Sequence, residues 1–192
     1  MMHEYTIKRP LKIRIIFLIA LLSITLSQFI NQFVPIAAGA LFITIWLFFS
    51  KYLWNKSCLI KISQTPNLNG IWTCQGEGKK QDNPSATNPW AATITIEQNF
   101  TEISIFLETN NKSSQSVSCG ASIEFINKNT CILSYPYKNT PLNADKDMYE
   151  HDGFCQLTFN LKDQTATGYY YTNNSRKSYG FMSLTRKKDR KK

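Results

Sequence analysis

The chain divides sharply into an apolar N-terminal segment and a polar remainder. Between Ile15 and Ser50 there is no charged side chain, whereas the sequence after Ser57 is rich in Asn, Thr, Ser and Tyr. A membrane-spanning helix needs about 20 mostly apolar residues. The apolar segment therefore predicts two such helices, at about residues 13–30 and 35–54, joined by an uncharged turn with amides and a proline. These polar groups are costly in hydrocarbon, so the turn is expected at the far interface of a hairpin.

Basic residues flank the hairpin on both sides: Lys8, Arg9, Lys12 and Arg14 before it, and Lys51, Lys56 and Lys61 after it. Under the positive-inside rule both chain ends lie in the cytoplasm. The pattern thus predicts a short basic cytoplasmic N-terminus (residues 1–14), a transmembrane hairpin (13–54) and a linker (55–67). A cleaved signal peptide is the alternative, but the second apolar run continues well beyond any plausible cleavage site.

From residue 68 onward the hydrophobic pattern changes to a period of two, which is typical of strands with one buried face. In the segment 91–100, for example, Ala92, Ile94 and Ile96 alternate with polar residues. In the segment 115–126, Val117, Cys119 and Ala121 are expected to be buried opposite an outward row of serines. The pattern predicts eight strands, at residues 68–78, 91–100, 102–109, 115–126, 130–138, 152–161, 165–172 and 178–187.

Eight antiparallel strands without a helical pattern favour closure, because closure removes exposed sheet edges. The predicted fold is therefore a membrane protein with a two-helix transmembrane hairpin and an all-β domain at residues 68–187. That domain is expected to be an eight-stranded, antiparallel, up-and-down (lipocalin-like) barrel with a dry interior. A two-sheet sandwich is the alternative. An outer-membrane barrel is disfavoured, because carboxylates such as Glu97 and Glu124 would then fill its narrow bore.

The net charge of +9 is concentrated at the two ends of the chain. Residues 1–56 hold six basic groups and one acid, and residues 186–192 hold the same numbers, so the body between them is close to neutral. The C-terminal tail is expected to bind anionic lipid headgroups through basic residues: Arg186, Lys187, Lys188 and Arg190. A nucleic-acid arm is disfavoured because the body itself is not basic. A frayed solubilising tail is the other interpretation.

The sequence carries little that indicates catalysis or metal binding. It has no phosphate-binding glycine loop, metalloprotease helix motif or nucleophile elbow, and its two histidines lack a partner at a catalytic spacing. The five cysteines contain no C-x-x-C pair, so in a reducing cytosol they are expected to be buried thiols. We therefore predict no enzyme activity, no metal site and no cofactor.

Aromatic residues in the predicted barrel favour a binding function instead. Tyrosine rings stack on nucleobases, and arginine or lysine beside them holds phosphate. We assign the candidate ligand-binding residues as Tyr135, Tyr137, Tyr169, Tyr171, Arg176 and Lys177. The alternative for each ring is ordinary barrel packing, and Trp72 is expected to close the base of the barrel.

The segment Asn69-Gly70-Ile71-Trp72 looks like the G-x-W of the first strand in lipocalin-like barrels. Together with the N-terminal hairpin, it resembles the two-transmembrane β-barrel effectors of bacterial CBASS anti-phage systems. These proteins act with cGAS/DncV-like nucleotidyltransferases. The resemblance covers the whole chain in architecture.

The resemblance implies that a cyclic di- or oligonucleotide binds the cytoplasmic barrel and drives self-association. Clustered hairpins then disrupt the bacterial inner membrane and kill the infected cell. The expected partners are the cyclic nucleotide, other copies of the chain and the lipid bilayer, with no DNA or RNA polymer. Two alternatives stay open, a membrane-anchored carrier of an apolar small molecule and a partner-docking domain without a ligand.

Overall fold

The computed structural model describes residues 1–7, 9–56, 59, 64–142, 150–173 and 177–187. The chain forms two compact units. The helical unit comprises residues 7–67 together with 99–101, and the sheet unit comprises residues 1–6, 68–98 and 102–192.

The part of the helical unit that the structure describes contains two antiparallel helices. Helix α1 (Arg9–Ile30) is followed by α2 (Ala38–Phe48), which continues as a π-helical turn (Phe49–Leu53). Where the first half of α1 meets the end of the second helix, Ile15 and Ile19 of α1 are buried against Phe49 and Trp54. At the other end, the Asn31 side chain accepts a 2.6 Å hydrogen bond from the backbone N–H of Ile36, and Ser27 Oγ donates to the Ile36 carbonyl.

Only one helix among the described residues is long and apolar enough to cross a membrane. It is the stretch Leu11–Ile30 of α1, with a mean hydropathy of 2.2. The second apolar stretch, Ala38–Leu53, is shorter because residues 35–37 are not helical and the helix begins only at Ala38. One predicted transmembrane helix is therefore matched by a candidate span, and the predicted two-helix membrane hairpin is not confirmed.

The described residues of the sheet unit form ten strands in a single sheet. They are β1 (His3–Thr6), β2 (Gly70–Lys80), β3 (Asn83–Gln98), β4 (Glu102–Thr109), β5 (Ser114–Ser118), β6 (Ala121–Asn127), β7 (Thr130–Pro141), β8 (His151–Asn160), β9 (Thr165–Thr172) and β10 (Ser178–Arg186). Antiparallel pairings run from β2 through β3, β4, β5, β7, β8, β9 and β10. The pairing of β10 with β2 then completes a ring of eight strands.

The count of eight strands was wrong for two reasons. The predicted strand 115–126 is divided at Gly120 into β5 and β6, which pair with different parts of β7. The additional strand β1 lies in the residues expected to form the basic N-terminus, where four residues are too few to show a period. It pairs antiparallel with β4 and parallel with β6. The residues between the first two predicted strands, 79–90, are also mostly strand, because β2 and β3 continue to a turn at Gln81–Asp82.

Strand β1 is fixed to the sheet by side chains as well as by backbone pairing. Tyr5 is buried, and its hydroxyl accepts a 3.2 Å hydrogen bond from Gln98 Nε2. His3 Nε2 lies 2.7 Å from Ser118 Oγ, within hydrogen-bond distance. Because β1 precedes α1 in the chain, the sheet unit contains residues from both sides of the helical segment.

The break at Gly120 also changes which face of the chain is buried. The expectation that Val117 and Cys119 are buried was wrong, because β5 turns Ser114, Ser116 and Ser118 toward the buried face. After the break the alternation agrees with the prediction, since Ile123 of β6 is buried.

One end of the sheet unit is closed by an apolar cluster around Trp72, as expected. Trp72 is 2% exposed, donates a 3.1 Å hydrogen bond to the Leu68 carbonyl, and packs edge-to-face on Phe159 at 5.0 Å. The guanidinium of Arg186 lies 5.7 Å from the centre of the Trp72 ring, within cation–π distance. Gly70 makes this approach possible, since its φ is +131° and a Cβ would lie 3.0 Å from Arg186 Nε.

The described cysteines only partly match the expectation of buried thiols. Cys74, Cys131 and Cys155 are buried, whereas Cys119 is exposed; Cys58 lies outside the described residues. Burial raises the pKa of each of the three buried thiols to about 12. A thiol is nucleophilic only as the thiolate, so these three are expected to be unreactive near neutral pH.

We expect iodoacetamide at pH 8 to modify Cys119 much faster than Cys74, Cys131 or Cys155 in the folded chain. Peptide mass spectrometry measures each site, and the same reaction in denaturant is the control. The buried thiols contribute stability that is fully present below their unfolded pKa of about 8.5 and is lost as the pH rises toward 12. The assignment of these thiols as buried is contradicted if Cys74 or Cys155 reacts as fast as Cys119 before unfolding.

Candidate ligand-binding cavity

A cavity of about 460 Å³ lies in the sheet unit, at the opposite strand ends from Trp72. It is bounded by the C-terminal ends of β4, β7 and β9 and the N-terminal ends of β3, β5, β8 and β10. Its volume falls within the usual range for small-molecule sites, about 300–1,000 Å³. The opposite end is filled by Trp72, Phe159 and Leu184.

Aromatic rings form part of the cavity wall: Trp90, Tyr137 and Tyr170. The Trp90 and Tyr170 rings pack edge-to-face at 5.6 Å, and Trp90 Nε1 donates a 3.1 Å hydrogen bond to Tyr170 Oη. Glycines on the neighbouring strands provide the space. A Cβ on Gly76 would lie 2.2 Å from the Trp90 ring, and one on Gly78 would lie 2.7 Å from Tyr170 Oη.

A row of polar side chains crosses the same end of the sheet. Ser116 of β5 is paired with Asn139 of β7, which in turn is paired with His151 of β8, and all three are buried and line the cavity. Ser114, two residues before Ser116 on the same face of β5, is also buried and lines the cavity. No donor among the described residues reaches Asn139 Oδ1, although that oxygen is buried. The cavity therefore combines aromatic surface with hydrogen-bonding side chains, one of which, Asn139, has a carbonyl oxygen that no donor among the described residues reaches.

The structure separates the predicted ligand-binding residues. Tyr135 and Tyr137 lie on the buried face; Tyr137 lines the cavity, and burial raises the pKa of Tyr135. Tyr169 and Tyr171 lie on the outer face, 41% and 49% exposed. Lys177 is exposed beside Ser178, a cavity residue, and Arg176 lies outside the described residues.

The predicted membrane-surface residues are placed only in part. Arg186 is half-buried, and besides stacking on Trp72 it donates to the Asn69 carbonyl and, at 2.6 Å, to Gln164 Oε1. Lys187 is exposed, and Lys188 and Arg190 lie outside the described residues. Contacts within the sheet unit thus occupy the Arg186 guanidinium.

The sequence reasoning did not select Trp90, Tyr170, Asn139 or His151 as site residues. For Tyr170 the sequence did hold a signal. Tyr170 lies four residues after the buried Ala166, so both side chains point to the same face of β9, whereas Tyr169 and Tyr171 point to the opposite face. The polar cavity residues gave no such signal, because buried serine and asparagine resemble the outward positions of a strand.

The cavity is suited to a ligand with flat rings and several hydrogen-bonding groups. Aromatic side chains stack on base-like rings, and hydroxyl and amide groups select their orientation. None of the described cavity residues is a lysine or arginine. Within the described part of the chain, no cluster of three histidine, cysteine or acidic residues could hold a metal ion.

The chain is similar to known proteins over most of its length. Residues 63–186 match the model of the family described as Cap15, cyclic dinucleotide receptor domain. The chain is also 31% identical over 163 residues to CD-NTase-associated protein 15 of Yersinia aleksiciae, an alignment that covers 82% of this chain and 76% of that protein.

Proposed function

Because the chain belongs to the Cap15 family of cyclic dinucleotide receptor domains, we propose that it is an effector of a bacterial CBASS anti-phage system. In this proposal the sheet unit binds a cyclic di- or oligonucleotide made by a cGAS/DncV-like nucleotidyltransferase. Binding drives self-association, and the apolar helices disrupt the inner membrane of the infected cell. The protein acts by binding, without catalysis and without a cofactor.

The observation that carries the binding step is the cavity bounded by Trp90, Tyr137 and Tyr170. Its ring surfaces suit stacked bases, and its serine and threonine hydroxyls are donors for phosphate or ribose oxygens. We also infer that the ring of eight strand pairings encloses this cavity as a barrel. A carrier of apolar molecules is less well supported, because the apolar end of the sheet unit is filled by side chains and the open end is polar.

Chain topology supports a membrane hairpin. Strand β1 precedes α1 and belongs to the same sheet as the strands that follow the helices, so the intervening chain must cross a membrane an even number of times. If α1 crosses once, the stretch Ala38–Leu53 must return. At 1.5 Å per residue that stretch spans about 24 Å, which a locally thinned bilayer accommodates.

The surface of α1 also favours lipid contact. Only 22% of its apolar window is buried, and large side chains such as Phe17, Leu21 and Phe29 are exposed. Its hydroxyl groups are satisfied locally, since Ser23 donates to the Ile19 carbonyl at 2.7 Å. We therefore place the protein in the bacterial inner membrane with both termini and the sheet unit in the cytoplasm, where the nucleotide is made. The exposed Lys187 is then available to anionic headgroups.

Titration of the full chain in detergent micelles with cyclic di- and trinucleotides tests the proposal. Ligand at 100 times its Kd should stabilise the folded state by about 2.7 kcal/mol, visible as a rise in Tm. Light scattering should show growth in mass with the same nucleotide. Linear dinucleotides of the same bases are the control. The absence of any shift across the panel, in protein shown to be folded, contradicts the binding step.

A further inference from the structure

Asn139 has an unusual environment for a buried amide. It is 7% exposed, near the end of β7, on the same face as Tyr137 two residues earlier. Its strand partners are Ser116 and His151, and all of these residues line the cavity. No donor among the described residues reaches its Oδ1 atom.

An asparagine with a structural role normally has its carbonyl paired, because burying an unpaired acceptor is unfavourable. An apolar residue of the same shape would avoid that penalty at position 139. A bound molecule that supplies the missing donor would remove the penalty of burying this unpaired oxygen. The oxygen is buried in the ligand-free protein, so the amide must turn toward the cavity as that molecule binds.

The partner missing from Oδ1 must be a hydrogen-bond donor, and this requirement limits which group of the ligand can bind there. Phosphate oxygens are acceptors and cannot pair with Oδ1. The edge of a nucleobase presents an N–H donor beside an acceptor, and a primary amide matches such a pair with both of its polar atoms. The ring surfaces of Tyr137, Trp90 and Tyr170 line the same cavity and provide the stacking contact.

We propose that Asn139 determines which base the cavity accepts, by receiving a hydrogen bond from the N–H group of a nucleobase edge. This inference rests on the proposed function, because it assigns a role to Asn139 in nucleotide binding. Asn139 is thus a specificity residue, because its contact distinguishes one base from another and does not involve phosphate.

The test measures affinities of the full chain for cyclic di-AMP, di-GMP, di-CMP and di-UMP and for mixed cyclic dinucleotides with either linkage. Asn139→Leu keeps the side-chain shape but removes both polar atoms. We expect it to reduce affinity for the preferred nucleotide by about 10- to 100-fold and to bring the affinities for other bases close together. The Tm of the ligand-free variant is expected to equal or exceed that of the wild type. Asn129→Leu, on the exposed turn between β6 and β7, is the matched control.

Asn139→Asp provides a second variant in case leucine is not tolerated. Aspartate retains acceptors and lacks the amide donors, so it is expected to change the ranking of the bases. If both variants lose affinity uniformly while keeping the wild-type ranking, Asn139 contacts the ribose or supports the wall, and the inference is overturned. Unchanged affinity in Asn139→Leu also overturns it and leaves nucleotide binding intact. If the wild type binds no nucleotide in the panel, the proposed function fails and this inference with it.

Discussion

Replacing Trp72 with alanine is expected to lower the free energy of unfolding of the sheet unit by about 3–5 kcal/mol. That is a large part of the total stability of a typical domain, about 5–15 kcal/mol. The indole is fully enclosed, packs on Phe159, and carries the Arg186 guanidinium on its face. Its removal leaves a cavity and also takes away the surface that orients Arg186. Denaturant titration of the full chain, followed by far-UV circular dichroism in the β region, measures the change.

Ile71→Ala is the matched control for this prediction. Ile71 is the preceding residue on β2, but it points to the outer face and is 44% exposed. We expect a loss well under half that of Trp72→Ala, because little apolar area is removed from a packed environment. Equal losses at the two positions would show that Trp72 does not close the packed end.

The strands of the sheet unit were largely predictable because apolar alternation directly reflects burial. The prediction of residues 102–109 and 165–172 coincides with β4 and β9. In β9, for example, Ala166 is buried while Thr167, Tyr169 and Tyr171 are exposed, and this period of two marks the strand. Where that condition fails, the pattern does not locate the strand: β1 has four residues, too few for a period to appear.

The error in β5 has a physical cause connected with the cavity. Sequence alternation favoured Val117 as the buried residue, yet Ser114 and Ser116 are buried and line the cavity. A polar ligand site requires hydroxyl groups on the buried face, which breaks the usual relation between polarity and exposure. Local sequence rules are expected to fail at functional sites for this reason. Gly120, which interrupts the strand, is the one sequence signal that the register changes there.

Substitutions of the three consecutive tyrosines of β9 distinguish ligand binding on the inner face of the sheet from binding on the outer face. Tyr170 points to the buried face and lines the cavity, while its neighbours Tyr169 and Tyr171 point outward. We expect Tyr170→Ala to weaken binding of the preferred cyclic dinucleotide by about 10- to 100-fold, since stacking on one aromatic ring contributes about 1–3 kcal/mol per base. Tyr170→Phe keeps the ring and loses the hydroxyl that accepts from Trp90 Nε1, so its effect should be much smaller. Isothermal titration calorimetry on the full chain measures the affinities.

Tyr171→Ala is the matched control, because it removes the same side chain one position along the same strand. Tyr171 stacks on Phe154 at 5.5 Å on the outer face, so its loss should leave nucleotide affinity unchanged. The opposite result, with binding lost in Tyr171→Ala and retained in Tyr170→Ala, would place the ligand on the outer face. It would support the original selection of Tyr169 and Tyr171 from the sequence. The cavity lined by Trp90, Tyr137 and Asn139 would then have to serve another purpose, since Asn139 Oδ1 would still lack a donor among the described residues.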